Sequence, residues 1–169
     1  DAFNIKFNSF SKKLINKDII LSINYSSNID EKLNKDLFQK YLEKDFYTKK
    51  TNLGIHNDDY IFYINNKLIK RVGSQGQQKI FIISLKLAEF ETLKINLEKT
   101  PILLLDDVFH KLDDSKINLL IELILEDNFE QIIISDSLEN RLNKIQTKIP
   151  QLKIFDIKNG YINEREKKI

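Results

Sequence analysis

The sequence predicts an α/β fold of buried strands, mostly parallel, flanked by helices and punctuated by short hairpins. Three observations predict it. Ser74, followed three residues later by Gln77 and then by apolar residues at helical spacing, marks a helix start. Pro101 opens an unbroken apolar run that ends in Asp106 and Asp107, as a buried parallel strand does when it delivers charge at its carboxyl end. Asn65-Asn66 and Asn159-Gly160 each separate two short apolar runs, the pattern of tight hairpins.

Composition narrows the class. The 169 residues suffice for a domain with a real core. A net charge of +2 argues neither for nor against nucleic acid. The absence of cysteine excludes disulfides and thiolate metal sites. No apolar run approaches the roughly 20 residues of a membrane span and no signal peptide is visible, so the expectation is a cytoplasmic protein without membrane contact. The four glycines, Gly54, Gly73, Gly76 and Gly160, fit no G-x-x-x-x-G-K-[ST] loop, so the main grip on a nucleotide is not in these residues.

Taken in order, residues 1–17 mix Phe and Lys and predict a short helix. Residues 18–25 alternate as a strand, and a Ser-Ser-Asn turn follows. From Asp30, a candidate cap, Leu33, Leu37, Phe38, Tyr41 and Leu42 share one face of a helix to about Phe46. Residues 60–64 and 67–72 form the first hairpin, leading into Gly73. The helix after Ser74 carries Ile80, Ile83, Leu87 and Phe90, with Leu85 and Ala88 on the flank. After the strand that ends at Leu105, residues 108–114 are a loop, and Ser115 is positioned to cap a helix with Ile117, Leu120, Ile121, Ile124 and Leu125 inward. Ile132 to Ile134 predict another buried strand, ending in Ser135-Asp136-Ser137. A helix over 138–147, a hairpin of 153–158 with 161–163, and a charged, fraying tail from Glu164 complete the chain.

Two stretches carry chemistry. A helix start with free N–H groups, a serine hydroxyl and Gly76 in its first turn suits a phosphate, although a plain capped core helix shows the same residues. The adjacent Asp106 and Asp107 repel one another, and a Mg²⁺ carried on nucleotide phosphates relieves that, although a solvated acidic turn looks alike. His56, beside Asp58 and Asp59, reads by itself as a hydrogen-bonded turn residue.

Ser74-Gln75-Gly76-Gln77-Gln78-Lys79, Leu85-Lys86-Leu87-Ala88-Glu89, Pro101 through Val108, and Leu112-Asp113-Asp114 together closely resemble the RecF family of bacterial recombination-repair proteins. The match is dense over 51–114. Thr51-Asn52-Leu53-Gly54-Ile55-His56-Asn57-Asp58-Asp59 is similar to a family segment, with Ile55 in place of a proline and Asn57 in place of an arginine. The resemblance implies the carboxy-terminal part of an ABC-type, SMC-like P-loop NTPase head. Residues 1–72 lead to the signature, and 73–169 hold the signature helix, Walker B, D-loop and terminal strands, while the P-loop part lies outside.

It further implies site roles. Ser74, Gln75, Gly76, Gln77 and Gln78 are the signature that meets ATP held by a second subunit. Asp106 holds Mg²⁺ through water and Asp107 is the catalytic acid. Leu112 and Asp113 end the D-loop. His56, Asp59, Ser135 and Asp136 are lesser candidates, Ser135 or Asp136 standing where many relatives sense the γ-phosphate with a histidine. His110 has no assigned role. The implied function is a slow ATPase that dimerises with ATP, binds double-stranded and gapped DNA at single-strand/double-strand junctions, and helps load RecA with RecO and RecR. This chain alone, lacking the P-loop, is expected to be inactive. A head of another ABC or SMC-type ATPase and a nucleotide-free interaction domain are the alternatives.

Overall fold

The computed structural model describes residues 2–15, 18–27, 29, 35–126, 129–137, 142, 145–146, 148–149 and 151–165. The chain divides into two compact units, Asp1–Glu89 and Phe90–Ile169.

In the first unit, helix α1 (Ala2–Leu14) buries Phe7, Phe10, Ser11 and Leu14. Strand β1 (Leu21–Ser26) pairs antiparallel with β2 (Asp59–Ile64), which pairs antiparallel with the two-residue β3 (Lys67–Leu68). Asn65 and Asn66 take φ of 47° and 61°, the left-handed pair that a two-residue hairpin needs and asparagine tolerates. Asn65 also ties the hairpin tip to the start of β1 by exchanging 2.8 Å bonds with Ile20: its backbone N–H donates to the Ile20 carbonyl and its Oδ1 accepts the Ile20 N–H. The hairpin's second arm is shorter than expected, because Ile69–Val72 close one helical turn, α3, whose Ile69 is buried. The Phe81 ring lies 4.9 Å from both Phe7 and Phe62, an aromatic cluster at the centre of this unit.

Helix α2 (Lys35–Thr48) forms where the apolar spacing predicts, but buries none of its residues. Phe38, Leu42, Phe46 and Tyr47 are exposed, because periodicity specifies a face and not the surface that covers it. The expected cap Asp30 and the face residue Leu33 lie outside the described residues.

The long helix α4 (Gln75–Leu97) buries Ile80, Phe81, Ile83, Ser84, Leu87, Ala88 and Phe90. In the second unit, β4 (Leu103–Leu105) and β5 (Ile132–Ile134) pair in parallel, Leu103 with Ile132 and Leu105 with Ile134. This is the parallel pairing expected, and the other described strand pairs are antiparallel. The apolar run is buried on one face only: Leu103 and Leu105 are covered, while Leu104 and its cross-strand neighbour Ile133 are 65% and 52% exposed.

Helix α5 (Asp114–Glu126) turns Ile117, Leu120, Ile121 and Leu123 inward and leaves Leu125 exposed. Its cap is Asp113 and not Ser115: Asp113 Oδ1 accepts the Lys116 N–H at 2.9 Å and the Ser115 hydroxyl at 2.5 Å. The helix starts two residues earlier than the Ser115 reading requires, and aspartate caps as well as serine.

The expected helix over 138–147 falls largely outside the described residues. Strands β6 (Phe155–Lys158) and β7 (Tyr161–Glu164) make the second hairpin around Asn159-Gly160, with φ of 52° and 81°. Glu164 is therefore strand and not fraying tail. Arg165 is also held, its backbone N–H on the Ile154 carbonyl and its guanidinium on Asp156. That guanidinium holds the Asp156 carboxyl below its usual range.

Candidate functional site

In the first unit Ser74 to Gln78 open α4 through a closed capping box. The Ser74 N–H donates to Gln77 Oε1 at 2.8 Å, and the Gln77 N–H donates to Ser74 Oγ at 3.2 Å. Gln78 reaches back to the Gly73 carbonyl at 2.9 Å, while the Gly73 N–H bonds the Ile69 carbonyl at 2.8 Å, so the chain entering the helix is fixed on both sides. Gln75 is exposed and Gly76 half-buried in the first turn. The arrangement presents a short, small-residue turn at the positive end of a long helix.

The segment 51–59 is a hydrogen-bonded turn. His56 Nε2 lies 2.9 Å from the Thr51 carbonyl oxygen and 3.0 Å from Asn57 Nδ2. Gly54 sits beneath the ring at φ 143°, where a Cβ would come within 2.7 Å of it. Asp59 bonds its neighbour's N–H, that of Tyr60, at 2.7 Å. Asp58 accepts hydroxyls from Tyr25 and Ser27, and these bonds hold its carboxyl below the usual range. His56 is thus answered within the turn, while Asp58 ties the turn to Tyr25 and Ser27.

In the second unit the structure brings Asp106, Asp107 and Ser135 together. Parallel pairing carries β4 and β5 out side by side, with the Ser135 N–H on the Leu105 carbonyl at 3.0 Å. The Ser135 hydroxyl then donates to Asp106 Oδ1 and accepts the Asp107 N–H at 2.9 Å. Asp107 has φ 46°, and Val108 and Phe109, both buried, anchor the turn that follows. His110 Nδ1 lies 3.2 Å from Asp107 Oδ2. Leu112 is buried, and Asp113, the α5 cap, has its carboxyl held below the usual range, first by the Ser115 hydroxyl and then by the Lys116 N–H. Asp136 follows Ser135, half-buried.

Sequence reasoning missed the Asp107–His110 contact and the Ser135 bridge. Their spacing could have found the first, since residues three apart across a tight turn face each other. The second depends on strand pairing.

Among the described residues no cluster of three or more His, Cys, Asp or Glu side chains could hold a metal ion by itself. An acidic pair at a strand tip suits an ion that arrives on phosphates, as Mg²⁺ does with one or two carboxylates. A cavity of about 350 Å³, lined by Leu42, Asp45, Phe46, Lys49, Lys50 and Thr51, contains none of the candidate residues. No described helix is long and apolar enough to cross a membrane.

No protein-family model matches the chain. Among curated proteins it is 38% identical over 159 residues to the DNA replication and repair protein RecF of Azobacteroides pseudotrichonymphae, covering 94% of this chain and 43% of that protein. It is 41% identical over 143 residues to the RecF of Cytophaga hutchinsonii, covering 84% of this chain and 38% of the relative. The chain thus spans about two fifths of the length of these relatives.

Among solved structures it resembles the recombination mediator protein RecF-ATPrS in the RecFOR pathway, with a TM-score of 0.66 at 24% identity over 96% of this chain and 43% of that one. A structure of SMC ATPases described for ATP-driven dimerisation and DNA-stimulated activation aligns with a TM-score of 0.54 at 14% identity, over 97% and 82%. These likenesses show the fold, an α/β arrangement shared with the RecF and SMC ATPase structures.

Proposed function

The chain belongs to the RecF family, and from that premise we propose that it is the carboxy-terminal part of a RecF-type ATPase head, working only within the full-length protein. Two heads would sandwich ATP. Ser74, Gln75, Gly76, Gln77 and Gln78 of one head face the γ-phosphate held by the P-loop of the other, with Leu112 and Asp113 ending the D-loop. Mg²⁺, when bound, neutralises phosphate charge, and Asp106 is the side chain that would hold it through water. Asp107 orients or deprotonates the attacking water. The ATP-bound dimer engages double-stranded and gapped DNA and works with RecO and RecR to load RecA.

The observation that carries this reading is the Ser135 bridge. One hydroxyl fixes both the Asp106 carboxylate and the Asp107 backbone at the carboxyl end of a parallel strand pair, where open α/β sheets place ligands. Ser135 is therefore read as a strut of the acidic pair more than as a phosphate sensor.

The test is Asp107→Asn in the full-length protein. ATP affinity is expected to stay and hydrolysis to fall by roughly 100-fold or more, prolonging the ATP-bound dimer. Unchanged turnover would remove Asp107 from the mechanism, and loss of ATP binding would assign it to the metal or to structure.

A further inference from the structure

We infer that His110 is a positioning residue that holds the Asp107 carboxylate in its working direction, an inference that rests on the proposed role of Asp107. The backbone on both sides of Asp107 is already fixed: its N–H donates to Ser135 Oγ at 2.9 Å and its carbonyl accepts the His110 N–H at 3.3 Å. Val108 and Phe109, at 2% and 0% exposure, seat the intervening turn in the core. What remains free is the rotation of a short side chain, and His110 Nδ1, 3.2 Å from Oδ2, takes up that freedom.

The imidazole lies against Oδ2 alone, and the Asp107 side chain is 48% exposed, so one oxygen has a neighbour while the carboxylate stays open to solvent. A base needs this division between a fixed oxygen and an available one. The need is greater for aspartate than for the longer glutamate, because a shorter arm tolerates less misdirection. Exposed pairs of this kind contribute little to stability, so the consequence of losing His110 is read in turnover and not in melting.

The experiment uses full-length protein and compares wild type with His110→Ala, His110→Asn, Asp107→Asn and the double variant Asp107→Asn/His110→Ala. The measurements are kcat, KM for ATP and melting temperature. His110→Ala is expected to lower kcat roughly ten-fold with KM and melting unchanged. His110→Asn, whose Nδ2 occupies the place of Nδ1, should restore most of it. The double variant should be no slower than Asp107→Asn alone, as for a residue that acts through another. Wild-type kcat in His110→Ala beside a slow Asp107→Asn would overturn this inference and leave the Asp107 role standing. So would a loss that asparagine does not restore and that brings a matching fall in melting temperature. Wild-type turnover in Asp107→Asn would overturn the underlying role, and the inference with it.

Discussion

At Ser74 the polar groups are answered by their own neighbours, since the serine and Gln77 close a box three residues long. At Asp106 and Asp107 they are answered by Ser135, 29 and 28 residues further on. The first turn is complete as soon as its helix forms. The second exists only when two strands are paired, and its bridging hydroxyl leaves carboxylate oxygen facing out. A recognition surface can be built by the first kind of turn, because it only has to keep its shape. A reacting group needs the second, because it must be held on one side and free on the other.

The largest expected effect tests whether the box at Ser74 is more than a box. Ser74→Asp keeps a good cap but sets a negative charge where the proposed γ-phosphate arrives. Two charges about 4 Å apart near a protein surface repel by on the order of 4 kcal/mol, enough to suppress ATP-driven dimerisation. Light scattering of the full-length variant with and without ATP, beside its melting temperature, decides it. Normal melting with normal dimerisation would reduce Ser74 to a helix cap.

The strand tip should respond to loss of its bridge. Ser135→Ala removes a donor to a carboxylate and an acceptor of a backbone N–H, and should lower stability by about 1 kcal/mol. Turnover should fall with it, because Asp106 and Asp107 lose their common anchor. A variant that melts lower yet turns over normally would separate the bridge from the chemistry.

The cap at Asp113 should show in stability alone. Asp113→Ala should cost about 1 kcal/mol, and the cost should depend on pH. The folded carboxyl is held below its ordinary value of 3.8, so its contribution is fully present above that value and is lost as pH falls through the depressed one. The gap in melting temperature between wild type and variant should therefore close below the ordinary carboxylate range.

What could be read in the sequence follows the same division. The Ser74–Gln77 box, the Asn65-Asn66 turn and the Asn159-Gly160 turn are written in residues one to three apart, and each forms as read. The α5 cap is ambiguous in sequence because two cap-competent residues, Asp113 and Ser115, stand two apart, and the bond to the Lys116 N–H chooses Asp113. The apolar face of α2 was legible and its exposure was not. Leu104 belonged to an unbroken apolar run that says nothing of a sheet covered on one side. Of the candidate site, Asp106, Asp107 and Ser135 were all named, but their meeting is a product of β4 pairing with β5.

The hairpin tip at Asn159-Gly160 also bears on how a purified sample ages. Asparagine followed by glycine is the pair whose next backbone nitrogen is least shielded, so it readily attacks the side-chain amide and expels ammonia. Reopening of the resulting ring yields mostly isoaspartate, which threads the main chain through an extra methylene. Here that insertion would fall inside a two-residue turn that sets Lys158 opposite Tyr161 and Ile157 opposite Ile162. The left-handed angles that close a two-residue turn are set for a main chain of ordinary length. Storage at alkaline pH should therefore loosen β6 and β7 from their tip, turning one covalent species into several, while the asparagine pair at the first hairpin, lacking the glycine, ages more slowly.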